Sequence, residues 1–282
     1  MLLKKIPSLF VFGLIFWLGA CQTAAPAPDD VTAVVSDAVE PTLTSDAEPT
    51  LSPLAVPTAV PTSTPMTVAE PVLAFDGAVS FEYLEAQMAI GRDRYPGSEG
   101  HWQTGEYIIG ELEALGWAVE EQPFTYQGVD VRNITGKANV GVGDVVIIAA
   151  HYDTRKVADQ TPGAVAQGLS VPGAVDGASG VAVLLELARI LELAHVPREV
   201  WLVFFDAEDN GSGGIEGWNW IVGSQYMADN LTAEEEARIE ALVLVDLIGD
   251  ADQQLYYEGN SDPELRETIW EIAADLGYSD VF

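Results

Sequence analysis

Apolar residues recur at three- and four-residue intervals in four stretches of the chain, and each of those stretches predicts an amphipathic helix. Ser80 to Ile90 carries Phe81, Leu84 and Met88 on one stripe and stops at Gly91, and Trp102 to Leu115 forms a second helix closed by Gly116. Ala178 to Leu193 places Val181, Leu184, Leu185, Ala188 and Leu191 on one face. The last has Pro263 near its start, Leu265, Ile269, Ile272 and Leu276 on its stripe, and Gly277 as its stop. A further helix is opened by Thr232-Ala-Glu-Glu235, a capping box in which side chain and backbone satisfy each other's free groups.

Between these lie short runs of strand character: Trp117 to Phe124, Val129 to Thr135, Val145 to Ala150, Glu199 to Phe205, Ala241 to Val245 and Gln253 to Glu258. Gly141-Val-Gly-Asp144 reads as a turn. A dinucleotide loop would need a glycine at Val146 and a following helix. Near-continuous apolar strands alternating with amphipathic helices predict an α/β three-layer sandwich, with a mainly parallel, mixed central sheet flanked by helices.

This patterning is confined to the region from about Phe75 to Phe282. Residues 22–74 are rich in Pro, Thr, Ala and acid, and no Lys or Arg occurs between Lys5 and Arg92. Such a stretch buries too little apolar surface to offset its ordering entropy, so it is expected to be a disordered stalk. Residues 1–21 read as a processing signal. Lys4 and Lys5 precede an apolar segment, and Leu18-Gly-Ala-Cys21 resembles a bacterial lipobox, with Cys21 the single cysteine of the chain and the expected lipidated residue. An uncleaved anchor is the alternative, although Ile6 to Ala20 is short for a membrane span. Either way the remainder is expected outside the cytoplasm, tethered to the bacterial membrane.

Charge narrows the partners. The chain carries 44 acids against 12 Lys and Arg, a net charge of −32, so nucleic acid and anionic lipid surfaces would be repelled and an amine-bearing ligand favoured.

In α/β folds of this kind ligands sit beyond the carboxyl ends of the strands. Three strands here end in chemistry: Val145 to Ala150 delivers His151 and Asp153, Trp201 to Phe205 delivers Asp206, Glu208 and Asp209, and Ala241 to Val245 delivers Asp246. Asp176 stands just before a helix, whose amide dipole favours an anion there. Two carboxylates about 4 Å apart repel by about 4 kcal/mol at an effective dielectric near 20. Acids from four segments converging on one edge therefore call for a cation, unless they splay into water. One His with several carboxylates suits zinc, and two ions sharing a bridging acid would activate a water.

Arg94-Tyr-Pro-Gly-Ser-Glu-Gly100, Ala150-His-Tyr-Asp-Thr154, Gly173-Ala-Val-Asp-Gly-Ala-Ser-Gly180, Phe204-Phe-Asp-Ala-Glu-Asp209 and Val245-Asp-Leu-Ile-Gly249 resemble, in this order, the motifs of the family M28 zinc aminopeptidases. The resemblance implies a zinc-peptidase fold and hydrolysis of N-terminal residues from peptides with a free α-amine. His151 and Asp246 would bind one zinc, Asp209 the other, and Asp176 would bridge them. Glu208 would be the general base and Asp153 would orient the His151 imidazole. Two departures stand out. Asp209 replaces the family's usual Glu, and the family's last ligand is a histidine near the C-terminus, whereas this chain offers only His101, His151 and His195. His195 belongs at the opposite edge of the sheet and His101 opens the second helix. The domain is accordingly expected to be incomplete at its C-terminus, with Asp280-Val-Phe282 beginning another strand and the second zinc weakened.

Two alternatives remain. The chain also resembles the related glutaminyl-peptide cyclotransferases, which use one zinc, in Val245 to Gly249 and in the Trp-rich insertion Trp218 to Ser224; His151 and Asp246 would then not be ligands. The third possibility is a non-catalytic binding module on a degenerate peptidase fold. A serine hydrolase is disfavoured, since Val181 stands where the nucleophile elbow requires glycine.

Overall fold

The computed structural model describes residues 74–159, 161, 163 and 168–282. The expected signal segment, Cys21 and nearly all of the stalk lie outside the described residues.

The sheet has five strands, β1 (Ala118–Tyr126), β2 (Val129–Ala138), β3 (Val145–His151), β4 (Glu199–Phe205) and β5 (Ile239–Leu244), in the order β1-β2-β4-β3-β5. Every residue of β4 is buried because the strand is flanked on both sides and covered on both faces. Alternation along it sorts the two cores. Val200, Leu202 and Phe204 pack with Ile108 and Leu112 of α2 (Glu99–Ala114) and with Val181, Leu184 and Leu185 of α3 (Ser179–Ile190). Trp201, Val203 and Phe205 face Met227 of α4 (Val222–Asn230) on the other side. Burying one such large side chain stabilises by about 1.5 to 3 kcal/mol, so the two faces of this strand form the centre of the sandwich.

The sheet is mixed and mainly parallel, as expected: β1, β3, β4 and β5 run in one direction and only β2 is reversed. The pairs β3/β4 and β3/β5 are parallel, whereas β1/β2 and β2/β4 are antiparallel. The β1–β2 hairpin inserts its second strand directly against β4, and no local pattern encodes that pairing.

Other elements depart from expectation. Helix α1 (Gly77–Ile90) buries Ser80 and Gln87 while Phe81 is exposed, because the Gln87 amide reaches into the protein to donate to the Ala178 carbonyl at 3.1 Å. Helix α3 starts at Ser179 after a wide turn over Ala174–Ala178 in which Asp176 leaves helical backbone angles. Helix α4 lies in the insertion and was not expected. The capping box opens α5 (Ala233–Arg238), with Thr232 and Glu235 bonded reciprocally. Residues 253–258 form no strand, and 280–282 are a turn closing on Tyr278. In α6 (Pro263–Asp275) and the turn after it, Ile272 and Leu276 of the expected apolar stripe are exposed.

Candidate metal centre

His151 is the last residue of β3, and parallel pairing with β4 and β5 brings the ends of all three strands to one edge. The β3–β5 ladder continues through the Val245 N–H, which donates to the Ala149 carbonyl at 2.7 Å and so places Asp246 beside His151. Gly180 permits the close approach of α3 to this edge, since a Cβ there would stand 2.4 Å from the Val245 carbonyl oxygen.

His151, Asp176 and Asp246 each offer a ligand atom, and these atoms lie within 4.8 Å of one another. His151 Nε2 is 2.9 Å from Asp176 Oδ1 and 3.4 Å from Asp246 Oδ1. Both ring nitrogens are buried and neither makes a well-oriented hydrogen bond among the described residues. A buried imidazole left in this condition is costly, and a ring nitrogen flanked by two carboxylates without bonding to either is a donor set that suits a divalent cation. The residues therefore fit a metal. Burial opposes protonation of His151, but Asp153, Asp176 and Asp246 outweigh it and hold the imidazole well above its ordinary pKa. Asp176 is held below the usual carboxylate range, with burial opposed by His151 and Arg155.

Gly177 is required beneath the histidine. A Cβ at that position would lie 2.5 Å from both His151 Nε2 and the His151 carbonyl oxygen.

The four positions after β4 divide between the core and the site. Asp206 is fully buried and points into the protein, where its carboxylate accepts from His101 Nε2 at 2.8 and 2.9 Å, the Tyr152 hydroxyl at 2.7 Å, the Arg132 N–H at 2.8 Å and the Ala207 N–H at 2.7 Å. Ala207 adopts a left-handed φ of 54°, unusual for a residue with a side chain. That turn lets Asp206 face the core while Glu208 faces the site. Glu208 shares a small cleft with His151, Phe205, Ile221, Ser224, Leu244 and Asp246. Burial pushes its pKa up to about 7; the His151 charge opposes this, and Asp153, Asp246 and Asp176 add to it.

Asp153 organises this loop. It is fully buried, accepts from the Glu208 N–H at 2.9 Å, the Asp209 N–H at 3.3 Å and Asn210 Nδ2 at 2.9 Å, and lies 3.5 Å from His151 Nδ1. It thus touches the histidine and the Glu208 loop at once. From the other side the insertion folds back along the loop, the N–H groups of Ile221, Val222 and Gly223 donating to the carbonyls of Glu208, Ala207 and Asp206 at 2.9, 3.0 and 3.1 Å.

Asp209 does not join the three-residue group. Its carboxylate is 3.7 Å from Arg155 Nη1, and burial and the charge of Asp176 push its pKa up. Neither remaining histidine is available as a ligand. His101 is consumed by Asp206, and His195 is exposed and paired with Glu192 at 2.7 Å. Arg155 escaped the sequence reasoning altogether. The available signal was the rarity of cations, since Arg155 and Lys156 are the only Lys or Arg residues between Lys137 and Arg189.

The model of peptidase family M28 matches residues 97–281. The chain belongs to this family. A solved leucine aminopeptidase precursor from Bacteroides thetaiotaomicron superposes with a TM-score of 0.67 at 30% identity, covering 75% of this chain and 77% of that one. The glutaminyl cyclase of the same organism is as similar, with a TM-score of 0.67, 31% identity, and coverage of 75% and 76%. A glutaminyl-peptide cyclotransferase from Drosophila melanogaster is 29% identical over 177 residues, 58% of this chain and 46% of the relative. This M28 chain thus spans about half or less of the length of such curated relatives, at 49%, 46% and 38% for three of them.

Proposed function

We propose that the chain is a zinc-dependent aminopeptidase that removes N-terminal residues from peptides with a free α-amine. The observation that carries this is the convergence of His151, Asp176 and Asp246, with both imidazole nitrogens lacking a well-oriented partner. These three residues would hold the ion. Zinc bound there supplies a Lewis acid that polarises the scissile carbonyl and makes water more acidic.

The chain's own groups do the rest. Glu208, near neutrality in its half-buried cleft, accepts a proton from the attacking water and returns it to the departing amine as the peptide C–N bond breaks. Asp153 fixes the Glu208 backbone and faces the imidazole. The surplus of acids attracts the substrate's α-ammonium group. A lipid on Cys21 would tether the enzyme outside the cytoplasm.

A second function, glutaminyl-peptide cyclotransfer, is favoured by the Trp-rich insertion bonded along Glu208 and by the likeness to the Bacteroides cyclase. Glu208 would then carry a proton from the substrate's own α-amine to departing ammonia. The full zinc-loaded chain should be offered an aminoacyl anilide and an N-terminal glutaminyl peptide. Release of amino acid from the first supports the peptidase. Ammonia from the second with no hydrolysis of the first establishes the cyclase and refutes the peptidase, and neither product leaves a binding module. Glu208→Gln should retain zinc and lose about 10²-fold or more in turnover.

A further inference from the structure

Arg155 leaves β3 in the segment that follows Asp153, and its side chain is almost wholly buried. Every edge of its guanidinium is engaged. Nε and Nη2 donate to the two carboxylate oxygens of Asp159 at 2.7 and 2.8 Å, which fixes the plane of the group. Nη2 also donates to the Ser212 carbonyl at 2.8 Å. Nη1 donates to the Asp209 carbonyl at 2.9 Å and stands 3.7 Å from Asp209 Oδ1. The Trp220 ring packs 4.7 Å from the guanidinium carbon. A Cβ on Gly213 would stand 2.4 Å from Asp159 Oδ2 and 3.0 Å from Arg155 Nη2, so that residue must remain small for the clamp to close.

A guanidinium stays charged at all ordinary pH and presents its donors in a rigid fork. The field of this one reaches both Asp209 and Asp176. Those are the two carboxylates that a second ion would have to share if the centre were binuclear. A dication between them would stand beside a fixed positive charge and be repelled by it. Among the described residues Asp209 has no place in a three-ligand group.

We propose that Arg155 takes the place of a second metal ion: it holds Asp209 in position and sets a fixed positive charge beside it, and the centre holds one ion, on His151, Asp176 and Asp246. This rests on the metal assignment made under the proposed function and departs from the two ions that the family resemblance implies. Arg155 is a positioning residue and touches no reacting atom.

Counting bound zinc tests it without any substrate. The full chain is dialysed against micromolar zinc, weighed by native mass spectrometry and titrated with a zinc chelator. The wild type should carry one zinc, Asp209→Asn should bind it with a Kd within about threefold of wild type, and Asp246→Asn should weaken it by about tenfold or more. Arg155→Met should take up a second zinc, and Arg155→Lys, which keeps the charge, should not. Two zinc ions bound tightly by the wild type, or a single zinc in Arg155→Met, overturns the role of Arg155 while leaving the peptidase standing. Zinc lost in Asp209→Asn but kept in Asp246→Asn overturns the metal assignment itself. Should Arg155→Met fail to fold by circular dichroism, Arg155→Gln, which removes the charge but keeps hydrogen-bond donors, is counted in its place, and a single zinc there overturns the role of Arg155.

Discussion

Replacing Asp206 by Asn changes one atom in the core and should cost about 3 to 5 kcal/mol, the range for breaking a buried charged pair. The carboxylate accepts on both oxygens. One faces the Ala207 N–H and the other the Arg132 N–H and the Tyr152 hydroxyl, with His101 Nε2 2.8 and 2.9 Å from the two. Whichever way an amide is turned, its NH₂ meets a backbone N–H at a distance set for a hydrogen bond, so at least one donor is left facing another. The loss should also depend on pH. Burial opposes protonation of His101, but the Asp206 charge and hydrogen bond outweigh it and raise the folded pKa. A raised histidine stabilises fully below its unfolded value of about 6.5, and the contribution fades as pH climbs through the folded value. Urea unfolding of both proteins at pH 6 and pH 9 should therefore show the larger penalty at pH 6, with a substantial remainder at pH 9 from the fixed donors. At a sensitivity of about 2 to 4 °C per kcal/mol, the Tm should fall by roughly 10 °C. A penalty under about 1 kcal/mol, or one that does not shrink between pH 6 and pH 9, refutes the account of this acid as a charged structural hub.

Three further outcomes follow from the same geometry. Gly177→Ala drives a methyl group against His151 and its carbonyl, so zinc affinity measured by chelator competition should fall by about tenfold or more, and unchanged affinity would contradict the close approach. Because burial raises Glu208 to about 7, the apo protein should lose stability as pH rises from 5 to 8, by at most about 3 kcal/mol from this group; the Tm gap between zinc-loaded and chelator-treated protein should widen over that range, and a constant gap would count against a shifted Glu208. Ala207→Gly relieves a left-handed residue that costs about 1 to 2 kcal/mol, less the entropy glycine adds to the unfolded chain, so guanidinium unfolding should show a stability equal to or up to about 1 kcal/mol above the wild type.

What the sequence disclosed depended on how local the cause was. Glu199–Phe205 was legible because full burial leaves an unbroken apolar run, and the Thr232 capping box because its two partners are three residues apart. The meeting of His151, Asp176 and Asp246 was legible through topology, since parallel strands deliver their ends to one edge. Contacts across long separations were not. Nothing near His101 announces that it bonds to Asp206, 105 positions away, or that Gln87 reaches Ala178 and turns α1 so that Phe81 faces solvent. Asp209 was expected to take a metal, and its meeting with Arg155 lay in the course of two loops, which hydrophobic periodicity does not describe.

The two margins of the sheet differ in character. At one, β1 presents Glu120 and Glu121 among exposed positions; at the other, β5 is the half-buried apolar strand Ile239–Leu244, with no strand beyond it among the described residues. An apolar strand at a sheet margin can serve as a template for pairing with another strand. The large surplus of negative charge opposes such an encounter at long range. Colloidal behaviour should therefore be set by salt: at low ionic strength the molecules keep apart, and that protection fades as the Debye length shrinks toward about 3 Å near 1 M salt.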